Sequence, residues 1–367
     1  MKNTFGNYLS LTLFGESHGE EIGCVLDGLT PGMRISDESI ALALSQRRPN
    51  GEYSTARREP DPFRIVSGCM NGRATGTPLC ILIPNLAERS SDYTNPSVIR
   101  PGHADFTAEM KYKGFQDTRG GGHFSGRITA PVVAAGAILR DALAEKGIHI
   151  GTHIKQLAGI YDRPFENITE DILCLEKAIF PVLDSAAEDQ MKAAILAAKA
   201  DGDSVGGVLE TCVTGLPAGV GEPWFDSMES MLAHGLFSVP AVKGVEFGDG
   251  FAMATMRGSQ ANDGFYYDNN GSVCTHTNHN GGINGGISNG MPLIISTAIK
   301  PTPTIGMEQK TVDMAAGVET VLAAKGRHDP CIVHRARIVV DSIVALVLCD
   351  ALIGRFGANY FAPEDKK

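Results

Sequence analysis

Four separated segments concentrate Gly, His, Ser and Arg, the residue types that bind phosphate and move protons. In Gly15-Glu16-Ser17-His18-Gly19, glycines flank a hydroxyl and an imidazole, which lets backbone and small side chains approach a ligand closely. Arg100-Pro101-Gly102-His103-Ala104-Asp105 sets a guanidinium and an imidazole around a rigid turn. Arg offers a bidentate fork to phosphate, and His titrates near neutrality, so the pair suits binding and protonation of an anion. Gly120-Gly121-Gly122-His123-Phe124-Ser125-Gly126-Arg127 leads into a predicted helix, where its N–H groups would form an anion nest. The fourth comprises Asn278 to Gly290, Lys300-Pro301-Thr302-Pro303-Thr304 and Gly326-Arg327-His328-Asp329-Pro330. Its glycines admit a flat ligand, and Lys300 with the two threonines suits a phosphate. Taken singly, each segment reads equally as a surface turn or loop.

The elements that must position these residues read as follows. A helix is predicted over Asp37 to Arg47, with Ser36 as cap, acidic residues in its first turn and Pro49 beyond its end; it delivers Arg47 and Arg48. A second runs from about Pro131 to Lys146, weakened by Gly136. Ser185-Ala186-Ala187-Glu188 reads as a capping box opening an Ala-rich helix that ends at Gly202. A last helix is expected over Ile338 to Phe356, with β-like runs at Cys80 to Ile83 and Val205 to Val213. No linker, repeat or charge block divides the chain, so one α+β domain is expected, with a flexible tail from about residue 358.

Composition narrows the partners. A net charge of -10 over 367 residues argues against nucleic acid and anionic membranes, so an anionic ligand needs a local basic pocket. The eight cysteines are scattered without a Cys-x-x-Cys pair, which fits reduced thiols in a cytoplasm rather than zinc or a disulfide framework. His276 and His279 invite a metal, but no paired carboxylates or Cys-x-x-Cys pair accompany them, and none is expected. The first residues do not form a signal peptide, and no apolar run approaches a membrane span. A P-loop, a dinucleotide fingerprint, a nucleophile elbow and a zinc-protease motif are all missing from the sequence. The residues alone thus support an enzyme or binder for a small phosphorylated ligand.

In combination these segments resemble the chorismate synthases. The resemblance runs in order from Phe14-Gly15-Glu16-Ser17-His18-Gly19 through Gln46-Arg47-Arg48-Pro49, Arg57-Arg58-Glu59-Pro60-Asp61, Arg100 to Asp105, Gly120 to Arg127 and Val242 to Glu246 to Gly326 to Cys331. It implies a β-α-β sandwich, a homotetramer, and the reduced-FMN-dependent anti 1,4-elimination of phosphate from 5-enolpyruvylshikimate 3-phosphate, without net redox change. It further implies that Arg47, Arg48, Arg100, Arg127 and Arg327 neutralise the substrate. His18 would protonate the departing phosphate, His103 would protonate or neutralise the reduced flavin ring, and Ser17 with Asp329 would form a proton relay. Flavin contacts are implied at His123, Phe124, Ser125, Pro240, Ala241, Gly285, Lys300, Pro301, Thr302, Pro303, Thr304 and Arg327. An external flavin reductase is expected, with NADPH as its indirect source of reducing power. The chain departs from the common pattern at His123-Phe124, where many relatives carry Arg-Ser, and at Gly126, Pro240 and Asp341. A flavin-independent hydrolase or lyase for a small phosphorylated metabolite is the alternative; it would need no reductant.

Overall fold

The computed structural model describes residues 2–55, 60–86, 97–323 and 329–363. Two antiparallel five-stranded sheets enclose a layer of helices. The first sheet has the order Thr4–Phe5, Ser10–Gly15, Glu21–Asp27, Leu79–Pro84, Arg64–Ser67. The second has the order Val242–Phe247, Leu293–Ile299, Gly207–Thr214, His149–Leu157, Ile160–Tyr161. The helices are α1 (Asp37–Arg47), α2 (Asp105–Tyr112), α3 (Thr129–Glu145), α4 (Ile168–Lys177), α5 (Ser185–Ala200), α6 (Met228–Phe237), α7 (Gly258–Ala261) and α8 (Val333–Phe356). Helix α3 packs on the first sheet and on α8, and α8 packs on the second sheet, which gives the β-α-β sandwich.

Strand patterning explains the layers. Leu79, Ile81 and Ile83 are fully buried and alternate with partly exposed Cys80, Leu82 and Pro84, so one face of the first sheet meets the helices. Helix α8, by contrast, is buried on every side over most of its length, because it lies between layers. Its buried charges are all answered. Arg337 pairs with Asp341 at 3.3 Å, Asp341 accepts from Thr152 Oγ1 at 2.6 Å, and Asp350 accepts from the backbone N–H groups of Asn7, Tyr8 and Leu9.

Helix α1 has the expected bounds, and Ser36 Oγ accepts from Ser39 N at 3.1 Å. Three other helix ends differ from expectation. α3 begins two residues early, at Thr129, which leaves Pro131 in the first turn, where its missing N–H costs nothing. α5 is capped by Asp184, whose carboxylate accepts from Ala186 N at 2.9 Å, and not by the Ser185 capping box. α8 starts at Val333; His334, Arg335 and Arg337 interrupt the apolar pattern without interrupting the helix. Gly136 inside α3 has a packing reason, since a Cβ there would overlap Ser342 of α8. The tail is ordered further than expected: Thr30 Oγ1 donates to Ala358 O at 2.6 Å and Phe361 is 4% exposed, because its ring completes the core. Residues 364–367 lie outside the described residues.

Candidate active site

The chemistry-bearing loops surround a cavity of about 2050 Å³. Strand Ser10–Gly15 runs into the turn Glu16-Ser17-His18-Gly19, closed by Gly19 N donating to Glu16 O at 3.0 Å. Against it lies the glycine segment, with φ of +59° at Gly120, +87° at Gly121 and +54° at Gly122. Only glycine adopts these values in succession without strain. Gly120 also needs its missing side chain, because a Cβ would stand 2.8 Å from Ser17 Oγ and closer still to His18 Nε2. Ser17 is buried; its N–H donates to Gly122 O and its hydroxyl donates to Arg119 O and Gly120 O. His123 Nδ1 donates to Gly15 O at 2.8 Å, which fixes that ring beside the turn. The segment is a less open anion nest than its sequence suggests, since Gly121 N and Ser125 N bond within it.

The arginines are held by carboxylates. Asp61, whose side chain is fully buried, pairs with Arg47 at 3.1 Å and also with Arg127. It sits at φ +46°, a left-handed conformation that non-glycine residues rarely adopt and that clusters at functional sites. Arg335, on the first turn of α8, donates to Arg47 O at 2.9 Å and pairs with Asp329. One connected network thus runs from Arg127 to Asp329. Asp61 is shared by two guanidinium groups, so one buried carboxylate orients both.

A second group of lining residues joins the Arg100–Asp105 turn to the ends of two strands. Arg100 grips Asp105 through Nε at 2.8 Å and NH2 at 2.7 Å. His103 Nε2 bonds Thr304 Oγ1 at 2.7 Å, Lys300 Nζ donates to Gly102 O at 2.7 Å, and Lys300 N donates to Ala241 O at 2.9 Å. Burial, then the charges of Arg100 and Lys300, push the His103 imidazole down to about 4, and Asp105 opposes them only in part. Asp105 is itself held below the usual carboxylate range: burial would raise it, but the hydrogen bond and charge of Arg100 prevail.

Of the residues singled out in the sequence, Ser17, His18, Arg47, Arg100, His103, His123, Phe124, Ser125, Arg127, Pro240, Ala241, Lys300, Thr302, Pro303, Thr304 and Asp329 line this one cavity. Arg48 does not: its NH2 donates to Pro60 O, because the chain turns extended at Arg48 and sends consecutive side chains apart. Pro301 and Gly285 do not line it either; Gly285, at φ +61°, joins the short strands Ile283–Asn284 and Ile287–Ser288. Arg327, like Arg57, Arg58 and His328, lies outside the described residues. His276 stacks on Tyr266, and His279 pairs with Asp249. The sequence reading missed Asn85, Arg119 and Arg335 as cavity residues and missed the bridging role of Asp61. For Asp61 a signal was available in its place between Pro60 and Pro62, next to the Arg57-Arg58 pair.

Guanidinium groups, an ammonium group and imidazoles lining one cavity define an enzyme class: one that holds a small phosphorylated polyanion and handles its protons. The chorismate synthase family model matches residues 9–353. The chain is 45% identical to a chorismate synthase from Synechocystis over 98% of this chain and 99% of that protein. It is 43% identical to one from Thermococcus kodakarensis, over 95% of this chain and 97% of that protein. A crystal structure of chorismate synthase superposes with a TM-score of 0.76 at 28% identity, covering 96% of this chain and 94% of that one. The chain belongs to the chorismate synthase family, whose members are carbon–oxygen lyases of aromatic amino-acid biosynthesis.

Proposed function

We infer that this chain converts 5-enolpyruvylshikimate 3-phosphate to chorismate and phosphate by anti 1,4-elimination with reduced FMN. The observation that carries the reading is that motif residues from distant parts of a full-length family match converge on one cationic cavity. The residues present fit a flavin. Among the described residues Thr302 Oγ1 is a buried hydroxyl with no hydrogen-bond partner, and it lies at the cavity beside Lys300 and Thr304. The cavity volume also exceeds what one small metabolite fills.

Segments 123–125, 240–241 and 300–304 would hold the flavin. When bound, reduced FMN supplies the electron density that helps phosphate leave. Arg47 and Arg127, aligned by Asp61, neutralise the anionic substrate together with Arg100, which lines the same cavity. His18 holds the proton for the departing phosphate at its imidazole, packed on Gly120. His103 is neutral at pH 7 in the unliganded protein, so it is free to accept a proton as anionic ligands gather around it. Ser17 and Asp329 serve as the proton relay.

No helix among the described residues is long and apolar enough to cross a membrane. A cytoplasmic homotetramer, supplied with reduced flavin by an external reductase, completes the reading. The solvent-exposed Trp224, Phe225, Phe251 and Phe265 support self-association. An anaerobic assay with chemically reduced FMN, following phosphate release and chorismate absorbance, tests it. Turnover is expected with reduced FMN and absent with NADPH alone. Turnover in air without flavin would refute the reading.

A further inference from the structure

Asn85, which follows strand Leu79–Pro84, makes four hydrogen bonds, three to the segment that carries Ser17 and His18 and one to an arginine beside it. Its side-chain Nδ2 donates to Glu16 O at 3.0 Å and to Gly19 O at 2.8 Å. Its backbone N donates to Glu20 O at 3.0 Å. Its Oδ1 accepts from Arg127 Nε at 3.0 Å. Glu16 and Gly19 are the first and last residues of the four-residue turn, so the amide spans the two ends while Ser17 and His18 occupy the middle. The amide orientation is set by its partners. Reversed, it would place Oδ1 against two carbonyl oxygens and Nδ2 against the Nε–H donor.

Arg127 is equally constrained. Its NH1 group pairs with Asp61, its NH2 donates to Pro84 O at 3.2 Å, and its Nε meets Asn85. Through Asn85, therefore, the turn that presents the phosphate's proton and the guanidinium that faces its charge are fixed to one side chain. A helix or strand would hold such a turn by its own ladder; here one amide ties its two ends, beside the contacts that Ser17 makes with the glycine segment.

We propose that Asn85 is a positioning residue that holds His18 and Arg127 in register for the same phosphate group. This role rests on the reading of His18 as the acid. Asn85 touches neither substrate nor flavin in this account; it acts through His18 and Arg127.

The test is a mutant cycle in the anaerobic reduced-FMN assay, with Asn85→Ala, Asn85→Asp, His18→Ala and the double variant His18→Ala/Asn85→Ala. Both Asn85 variants are expected to lose kcat by about 100-fold, the scale on which a misplacement near 1 Å acts, with KM and flavin binding little changed. Asn85→Asp keeps the acceptor for Arg127 and the size of the side chain but sets a carboxylate against two carbonyl oxygens. It carries the test should Asn85→Ala not fold. The double variant is expected to lose clearly less than the product of the two single losses, since the part of the Asn85 effect that runs through His18 is already gone and only the part that runs through Arg127 remains. Wild-type kcat in Asn85→Asp, or losses that multiply in the double variant, would overturn the role. Absence of product from the wild type would instead refute the functional reading, and the role with it.

Discussion

A buried histidine, His153, and a half-buried one, His103, stand beside carboxylates and are shifted in opposite directions. His153, in strand His149–Leu157 of the second sheet, has no solvent-exposed side-chain surface and bonds Asp162 through Nδ1 at 2.7 Å and Glu210 through Nε2 at 3.3 Å. Burial would lower it, but the two carboxylates prevail and raise it above its ordinary value. His103 has Asp105 nearby, yet that carboxylate is taken up by Arg100, and the imidazole faces Arg100 and Lys300 instead. It is held neutral. The difference lies in where the charges point. Around His153, with Lys155 donating to Glu210 at 2.5 Å, the ion pairs close on one another. Around His103 two cations, Arg100 and Lys300, line a cavity and act on the imidazole. A closed cluster holds the fold together, and an open one is prepared for a ligand.

The comparison breaks most visibly by substitution. Asp162→Ala removes the partner of His153 Nδ1 and the acceptor for Leu183 N and Asp184 N, and should cost about 3–5 kcal/mol, read from urea unfolding. The fraction that remains folded should turn over at the wild-type rate. A loss of kcat at unchanged stability would make the His153 cluster part of the site. On the cavity side the reverse is expected. Gly120→Ala pushes a Cβ onto Ser17 and His18 and should lower kcat by about 100-fold, while the backbone strain costs only about 1–2 kcal/mol. Equal turnover in this variant would mean that the turn is not held where it is needed.

The smallest effect is in pH. His103 is pushed down to about 4, and His334, buried against Ser54, Tyr53 and Phe180, to about 3 by burial and then by Arg335 and Lys192. For both, the unfolded chain takes up a proton at a pH where the folded protein does not. Their contribution to stability is therefore complete above about pH 6.5, the unfolded value, and is lost as pH falls through the interval down to the folded values. His153, raised, contributes in the opposite sense, with stability present at low pH and lost as pH rises through its folded value. His334→Gln should flatten the acid side of a stability–pH curve measured by denaturant unfolding, and an unchanged curve would mean that His334 does not drive it.

Much of the cavity was legible in the sequence because its loops need residues that stand out. Three successive glycines with positive φ and histidines beside prolines or glycines are visible without a structure. The supporting residues were not legible. Asp61, Asn85 and Arg335 are single polar residues in ordinary segments, and their meaning lies in partners 14 to 288 positions away: Arg127 and Arg47 for Asp61, Glu16 and Gly19 for Asn85, and the Arg47 carbonyl for Arg335. Arg48 shows the opposite error. Adjacent to Arg47, it looked equivalent, but the end of α1 sends it to Pro60 O. The helices with caps and a polar face were readable; α8 was half hidden because it is buried all round, so its charged residues looked like an interruption. The first sheet was recognised at one strand only, since Ser10–Gly15 and Glu21–Asp27 mix polar and glycine residues that only pairing explains.

The central claim is that His18 and the Asp61-linked arginines meet one phosphate group. A crystal structure with FMN and 5-enolpyruvylshikimate 3-phosphate bound would measure it directly. The phosphate is expected within about 2.6–3.2 Å of the His18 imidazole and of the Arg47 or Arg127 guanidinium. A phosphate bound away from His18 and both arginines would contradict it.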